Sequence, residues 1–127
     1  MSFFYIGDDA TGEALKWCDD VAVVVVGGEI DFAASPRLRE CLADRVGAGK
    51  RRLVLDFSSV SFIDSTAIGV LVGAIMRLRE HGEGSLSVVC PEENRRVMRI
   101  FDIAGVENLI ELHYSRAEAL SALALAG

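Results

Sequence analysis

Residues 53–80, LVLDFSSVSFIDSTAIGVLVGAIMRLRE, contain the change from strand to helix that decides the fold. The run opens with LVLDF (53–57), which is typical of a buried strand. Farther along, apolar residues recur at steps of three and four, the period of a helix with one apolar face: Ile68, Leu71, Val72, Ile75 and Leu78. Asp64, Ser65 and Thr66 are all favoured at a helix N-cap, so we expect the helix to begin within this trio.

A hydroxyl group at the start of this helix lies where negative charge is favoured. The first N–H groups of a helix have no partner within it, and the helix dipole adds partial positive charge at the same end. The sequence therefore predicts that Ser65 or Thr66 occupies a place where a phosphate group is tolerated. On spacing alone, the commoner role of such a serine is to cap the helix, and Asp64 has the same alternative.

The segments around this run predict an alternation of strands and helices. Residues 13–18 and 21–26 flank Asp19-Asp20, which is typical of a tight hairpin, and the second of these runs indicates a strand covered on both faces. The later elements are strands at 85–90 and 108–112, and helices that begin at Asp31 or Ser35-Pro36, at Pro91 and after Ser115. This order predicts an α/β fold with a mostly parallel sheet and right-handed crossovers.

Acidic and hydroxyl side chains follow two of the predicted strands. Glu29 and Asp31 come after the valine-rich strand, and Asp64 and Ser65 come after the strand that opens at Leu53. In open sheets of this kind, functional sites lie beyond the carboxyl ends of the strands. We therefore expect these two groups to share one face of the molecule.

Length, charge and hydropathy indicate one soluble domain over residues 1–127, with its core at about 13–125 and an N-terminal arm or edge strand at 1–12. The net charge of −6 and the scattered basic residues argue against a nucleic-acid partner. No signal peptide begins the sequence, and no stretch approaches the roughly 18 apolar residues of a membrane-spanning helix. We therefore expect a cytoplasmic protein that has no membrane partner.

The remaining reactive residues form no catalytic or metal-binding pattern. Cys18, Cys41 and Cys90 are far apart and contain no CxxC pair, which indicates reduced thiols without a zinc site. No phosphate-binding glycine loop occurs, and no GxSxG elbow surrounds Ser65. We expect no cofactor, no metal and no enzymatic activity.

Glycines and aromatic residues have ordinary structural interpretations. Gly69 and Gly73, four residues apart, predict close packing of the central helix on the sheet. Phe32, Phe62 and Phe101 are most simply residues of the core or its rim.

The segment FIDSTAIGVLVG (62–73) resembles the signature of the STAS domain in bacterial anti-sigma factor antagonists, an Asp-Ser-Ser/Thr-Gly-Leu-Gly run before a helix. Ser65 matches the serine that in this family is phosphorylated by an anti-sigma factor that is also a serine kinase, and Thr66 is the second choice. Ile68 matches the leucine and Gly69 the last glycine, whereas Ala67 replaces the usual glycine. The resemblance covers nearly the whole chain.

The resemblance implies a small mixed, mostly parallel β-sheet with four α-helices packed mainly on one side. It also implies a partner-switching role. The unphosphorylated protein binds the anti-sigma factor kinase and releases the sigma factor, phosphorylation ends the binding, and a PP2C-type phosphatase restores it. The implied partner-binding residues are Glu29, Asp31, Asp64, Ser65, Thr66, Ala67, Ile68 and Gly69. The alternative is a STAS module that binds a nucleotide or lipid, or that serves as an accessory regulatory subunit.

Overall fold

The computed structural model describes residues 3–8 and 20–126. Its strands are β1 (Phe4–Asp8), β2 (Val21–Ile30), β3 (Arg52–Ile63), β4 (Ser85–Val89) and β5 (Glu111–His113). Its helices are α1 (Ser35–Gly47), α2 (Ser65–Glu80), α3 (Arg95–Ala104) and α4 (Arg116–Ala126), with a short 3-10 helix at Val106–Asn108.

The strands form one sheet in the order β1-β2-β3-β4-β5, in which β1 is antiparallel to β2 and the other pairs are parallel. This confirms the predicted mixed, mostly parallel sheet. The strand predicted at residues 13–18 lies outside the described residues. The antiparallel partner of β2 is Phe4–Asp8, at the edge of the sheet.

Helices cover both faces of the sheet, but unequally. The larger core lies under α1, α2 and α3 and receives Ala22, Val24 and Val26 from β2. Val21 and Val23, which alternate with them, pack in a smaller cluster with Ala119 and Leu123 of α4. Because both sides of this strand are covered, its sequence shows no polar alternation. The prediction of helices mainly on one side is therefore confirmed.

The strand β2 continues beyond the glycines at which the sequence predicts its end. Gly28 has φ of +85°, and a Cβ atom there would lie 2.0 Å from the Phe3 carbonyl oxygen. A Cβ atom on Gly27 would collide with the Tyr5 ring. The two glycines therefore let Phe3 and Tyr5 approach β2 closely, and the Glu29 N–H donates to the Phe3 carbonyl at 2.6 Å.

The strand β3 is also longer than the predicted run 53–57, because two irregularities extend it. Its pairing with β2 shifts between Val25 and Gly27 and again between Gly28 and Glu29, and each shift adds one residue to β3. Beyond Phe57, core residues therefore recur at steps of three, at Val60 and Ile63. This spacing hides the strand from a search for residues that alternate by two.

Among the described residues, the second half of β3 has no partner strand on its β4 side, since the pairing of those strands ends at Asp56. Asn94 partly replaces that partner, because its side-chain amide donates to the Val60 carbonyl at 2.6 Å. The same side chain accepts from the Val97 N–H and caps α3. For this reason α3 begins after Asn94 rather than at Pro91, where the sequence predicts it.

The ends of the last elements follow the predicted signals more closely. Gly105, with φ of 66°, ends α3 in the left-handed conformation that favours glycine. The Ser115 hydroxyl accepts from the Glu118 N–H at 3.2 Å, which confirms the predicted cap of α4. The last strand is shorter and later than the predicted 108–112, since residues 106–108 form a 3-10 helix.

An ion pair joins α4 to the sheet at the point where β3 becomes irregular. The Arg116 guanidinium donates through Nε and Nη2 to Oδ2 of Asp56 at 3.1 and 2.8 Å. The backbone N–H and the hydroxyl of Ser58 donate to the other carboxylate oxygen. Burial alone raises the pKa of Asp56, but the donors on Ser58 and Arg116 outweigh burial and hold the pKa below its ordinary value.

We expect the Asp56 carboxylate to make stability depend on pH at the acid end. Because its pKa is lower in the folded protein, its contribution is present above the ordinary aspartate value of about 4 and is lost as the pH falls further. The substitution Asp56→Asn removes this dependence and lowers the free energy of unfolding at neutral pH by about 1–3 kcal/mol. Thermal unfolding from roughly pH 3 to pH 7 measures both effects.

A matched control for this pair is Asp20→Asn, which disrupts the Arg52–Asp20 pair, in which the carboxylate is 41% exposed against 10% for Asp56. Exposed pairs contribute little, so this control should change the free energy of unfolding much less. An unchanged acid-end slope in Asp56→Asn would contradict the role given to Asp56.

Candidate functional site

The carboxyl ends of β2 and β3 lie side by side. Ile30 pairs with Ile63 at the end of the parallel ladder, and the Asp64 N–H donates to the Ile30 carbonyl at 3.3 Å. The residues that follow each strand, Asp31 and Asp64, therefore leave the sheet as neighbours. The expectation that the two acidic segments share one face is confirmed.

Asp64 is the N-cap of α2. Its Oδ1 atom accepts from the backbone N–H groups of Thr66 at 3.0 Å and Ala67 at 3.2 Å. The Thr66 hydroxyl donates to the same oxygen. The cap lies within the predicted trio, and Asp64 already occupies the N–H groups of Thr66 and Ala67. That a phosphate is tolerated at this helix start stays a prediction. A phosphate on Ser65 would lie beside a carboxylate that already occupies the helix start.

Asp31 makes a similar turn before α1. Its Oδ1 atom accepts from the N–H groups of Ala33 at 3.1 Å and Ala34 at 3.0 Å. The helix itself begins at Ser35, with Pro36 in its first turn, so of the two predicted starts the structure has the second. Both acidic residues thus use a carboxylate oxygen to hold the backbone of the turn in which they lie.

A bridge between two hydroxyl groups connects the starts of the two helices. The Oγ atom of Ser35 lies 3.0 Å from Oγ1 of Thr66 and 2.9 Å from the carbonyl oxygen of Asp31. Ser35 is buried, with 2% of its surface exposed. The sequence analysis identifies Ser35 only as a helix start. Its contact with Thr66 is not predictable from a local pattern, because the two residues are 31 positions apart.

Ser65 differs from its neighbour Thr66. Both residues are exposed. The Thr66 hydroxyl has hydrogen-bond partners on Asp64 and Ser35, whereas the structure records no hydrogen bond of the Ser65 side chain within residues 3–8 and 20–126. Ser65 therefore presents the less restrained hydroxyl at this edge of the sheet.

The remaining predicted partner-binding residues divide between surface and core. Glu29 is half-buried and borders a shallow depression with Asp31 and Arg37. Ala67 and Ile68 are buried, with 1% and 9% exposure, so their side chains pack in the core. The methyl group of Ala67, which replaces the usual family glycine, therefore points away from solvent.

Two structural expectations about this region are wrong. Gly69 and Gly73 are exposed, and a Cβ atom added to either would meet nothing within 4 Å, so close packing does not require them. Phe32 is 74% exposed in the turn that Asp31 closes and packs against neither core cluster, so it belongs neither to the core nor to its rim. Phe62 lies at the rim and Phe101 is buried, as expected.

The described residues contain no group of three or more His, Cys, Asp or Glu side chains that could hold a metal ion. Cys90 is a buried free thiol, and burial raises its pKa to about 11. Cys18 lies outside the described residues. Within the part of the chain that the structure covers, no helix is both long and apolar enough to span a membrane.

Comparison with known proteins identifies the family to which this chain belongs. The STAS domain family model matches residues 15–119. The chain belongs to the STAS domain family. An anti-sigma-B factor antagonist of Staphylococcus epidermidis is 33% identical over 95 residues, which cover 75% of this chain and 85% of that protein. The anti-sigma-B factor antagonist of Bacillus subtilis (strain 168) is 37% identical over 89 residues, covering 70% and 78% of the two chains.

Solved structures agree with the sequence relatives of this STAS-domain protein. The crystal structure of an anti-sigma factor antagonist from Mycobacterium paratuberculosis matches with a TM-score of 0.79 and 25% identity, over 94% of this chain and 93% of that chain. The resemblance to the STAS domain of anti-sigma factor antagonists is therefore confirmed.

Substitution of Asp64 tests its role as the helix cap. We expect Asp64→Ala to lower the free energy of unfolding by about 1 kcal/mol, because Thr66 and Ala67 lose an acceptor for their N–H groups. In Asp64→Asn the amide oxygen can still accept from these N–H groups, so the decrease in the free energy of unfolding should be much smaller. Urea denaturation measures both values. Equal losses in the two variants would show that the charge, rather than the cap, is what α2 requires.

Proposed function

We propose that this STAS-domain protein is an anti-sigma factor antagonist controlled by phosphorylation of Ser65. The unphosphorylated form binds an anti-sigma factor that is also a serine kinase and thereby releases the sigma factor. The observation that carries the proposal is the exposed hydroxyl of Ser65 at the start of α2, which makes no hydrogen bond within the described residues. Membership of the family and the names of the relatives support it.

The charge around Ser65 explains why phosphorylation would end the binding. A phosphate group adds between about −1.5 and −2 charge at neutral pH. At Ser65 it cannot bond to the N–H groups of Thr66 and Ala67 while Asp64 occupies them. A docked partner would therefore have to desolvate the phosphate, which is costly for an uncompensated charge. Modification weakens the complex without requiring the domain to unfold.

The protein in this proposal is a binding partner and has no activity or cofactor of its own. The kinase supplies ATP and magnesium, and a PP2C-type phosphatase removes the phosphate from Ser65. The cycle takes place in the cytoplasm, without nucleic acid or membrane contacts by this chain.

Affinity capture from a lysate of the source organism, followed by phosphorylation in vitro, tests the proposal. The wild type should retain an ATPase-type serine kinase, and Ser65→Asp should retain less of it. The purified kinase with ATP should then phosphorylate the wild type but leave Ser65→Ala unmodified at that position. Phosphorylated wild type should bind at least about tenfold more weakly, a difference of about 1.4 kcal/mol.

Failure of this experiment has a clear meaning. If the wild type retains no kinase, or if the phosphorylated and unphosphorylated forms bind it equally, the phosphorylation switch is wrong. A small ligand that raises the melting temperature would then favour the alternative of a ligand-binding STAS module.

The partner-binding surface in this proposal includes an exposed aromatic residue. Phe32 is exposed in the turn held by Asp31, next in sequence to the Asp31 carboxylate. Interfaces commonly centre on a buried aromatic side chain within a polar rim. The complementary partner surface would be an apolar pocket bordered by basic side chains.

We expect Phe32→Ala to weaken binding of the captured kinase by at least about tenfold without lowering the melting temperature, because the ring is exposed in the free protein. Ile103→Ala is the matched control, since Ile103 is 69% exposed on α3. Isothermal titration calorimetry measures both affinities. Equal affinities of Phe32→Ala and the wild type would remove Phe32 from the interface.

A further inference from the structure

Two adjacent hydroxyl groups are available where the proposed function needs one. Ser65 and Thr66 are both exposed and both lie at the start of α2, so accessibility alone does not select between them. Their hydrogen bonds do differ. The Thr66 hydroxyl contacts Asp64 and Ser35, while no such contact of Ser65 is present within the described part of the chain.

The protons at this site can be assigned from the donors and acceptors. A carboxylate only accepts, so the single Thr66 hydroxyl proton goes to Asp64 Oδ1. The Ser35 hydroxyl then has one proton for two acceptors, Oγ1 of Thr66 at 3.0 Å and the Asp31 carbonyl at 2.9 Å. When Ser35 donates to Thr66, it occupies a lone pair of the Thr66 oxygen. When Ser35 donates to the Asp31 carbonyl instead, its own oxygen still fills the space beside the Thr66 oxygen.

Ser35 is held firmly enough to restrain the Thr66 hydroxyl. It is 2% exposed, and its own N–H donates to the Asp31 carbonyl at 2.9 Å. Pro36 follows it in the first turn of α1 and fixes the backbone φ angle there. The Ser35 oxygen therefore has little freedom to move away from Thr66.

We propose that Ser35 is a specificity-determining residue that directs phosphorylation to Ser65 by restraining the Thr66 hydroxyl. This inference rests on the proposed function. In the transfer, a hydroxyl oxygen bonds to the γ-phosphorus of kinase-bound ATP, the bond from that phosphorus to the bridging oxygen of ADP breaks, and a base on the kinase takes the hydroxyl proton. Ser65 is free to present its oxygen in this way. Thr66 must first leave Ser35 and Asp64.

The partition of phosphate between the two hydroxyl groups tests the inference. The probe is the serine kinase retained by the wild type, with ATP, and fragmentation mass spectrometry assigns the phosphate to Ser65 or Thr66. The wild type should carry it mainly on Ser65. In Ser35→Ala the ratio of Thr66 to Ser65 phosphate should rise roughly two- to tenfold, the effect of losing one neutral hydrogen bond. Ser35→Thr, which keeps the hydroxyl, should restore the wild-type ratio.

A matched control separates this effect from general loosening of the fold. Ser87→Ala removes an equally buried hydroxyl, 1% exposed, that bonds to Glu111 away from the site. It should leave the ratio unchanged. A second measurement uses the Ser65→Ala background, in which adding Ser35→Ala should speed phosphorylation of Thr66 by a similar factor.

The outcomes distinguish this inference from the proposed function. Phosphate on Ser65 with the same ratio in Ser35→Ala and wild type would overturn the role of Ser35 alone. An equal shift in Ser87→Ala would do the same. Phosphate mainly on Thr66 in the wild type, or on neither hydroxyl, would overturn the inference together with the assignment of Ser65.

Discussion

The parallel pairing of β2 and β3 up to their last residues is the constraint on which the candidate site depends. Ile30 and Ile63 end the ladder together, and the Asp64 N–H still donates to the Ile30 carbonyl. Two turns that are far apart in the sequence therefore begin at neighbouring points in space. The hydrogen bond between Ser35 and Thr66 can form because the two strands end side by side and so place both turns next to each other.

The carboxylates at this edge have a structural role before any partner arrives. Asp31 and Asp64 each accept backbone N–H groups, and this fixes the turns from which Phe32 and Ser65 project. A surface held in this way loses little conformational freedom on binding, which favours affinity. The same arrangement makes the edge acidic and uses N–H groups that would otherwise stabilise an anion. One set of hydrogen bonds thus accounts both for the ordered surface and for the sensitivity to an added phosphate that we propose for it.

Local patterns in the sequence predict the parts of the fold that depend on neighbours along the chain. The period of α2, the cap trio at its start and the carboxyl-edge position of the acidic groups all follow from such patterns. Such local patterns do not predict the contact of Ser35 with Thr66, because it joins residues from different helices. They also miss the pairing of Asp56 with Arg116, which are 60 positions apart.

Other differences arise because burial depends on what covers a residue. Phe32 has the apolar side chain of a core residue, but no element within the described residues covers the turn in which it lies. Gly69 and Gly73 of α2 are predicted to pack closely but are exposed, since a glycine in a helix does not by itself imply a close neighbour. The sequence alone distinguishes neither case, because both depend on how the finished helices lie on the sheet.

The irregular half of β3 has a consequence for the length of this strand. From the Val25–Asp56 pair to the Ile30–Ile63 pair, β2 advances five residues and β3 advances seven. Each of the two extra residues reverses the side to which the following residues point, and the second reversal cancels the first. Changes in length within this serine-rich stretch are therefore subject to a parity rule. Loss of one residue would point Ile63 away from the core and turn the segment that carries Ser65 with it, whereas loss of a pair would preserve the facing of both.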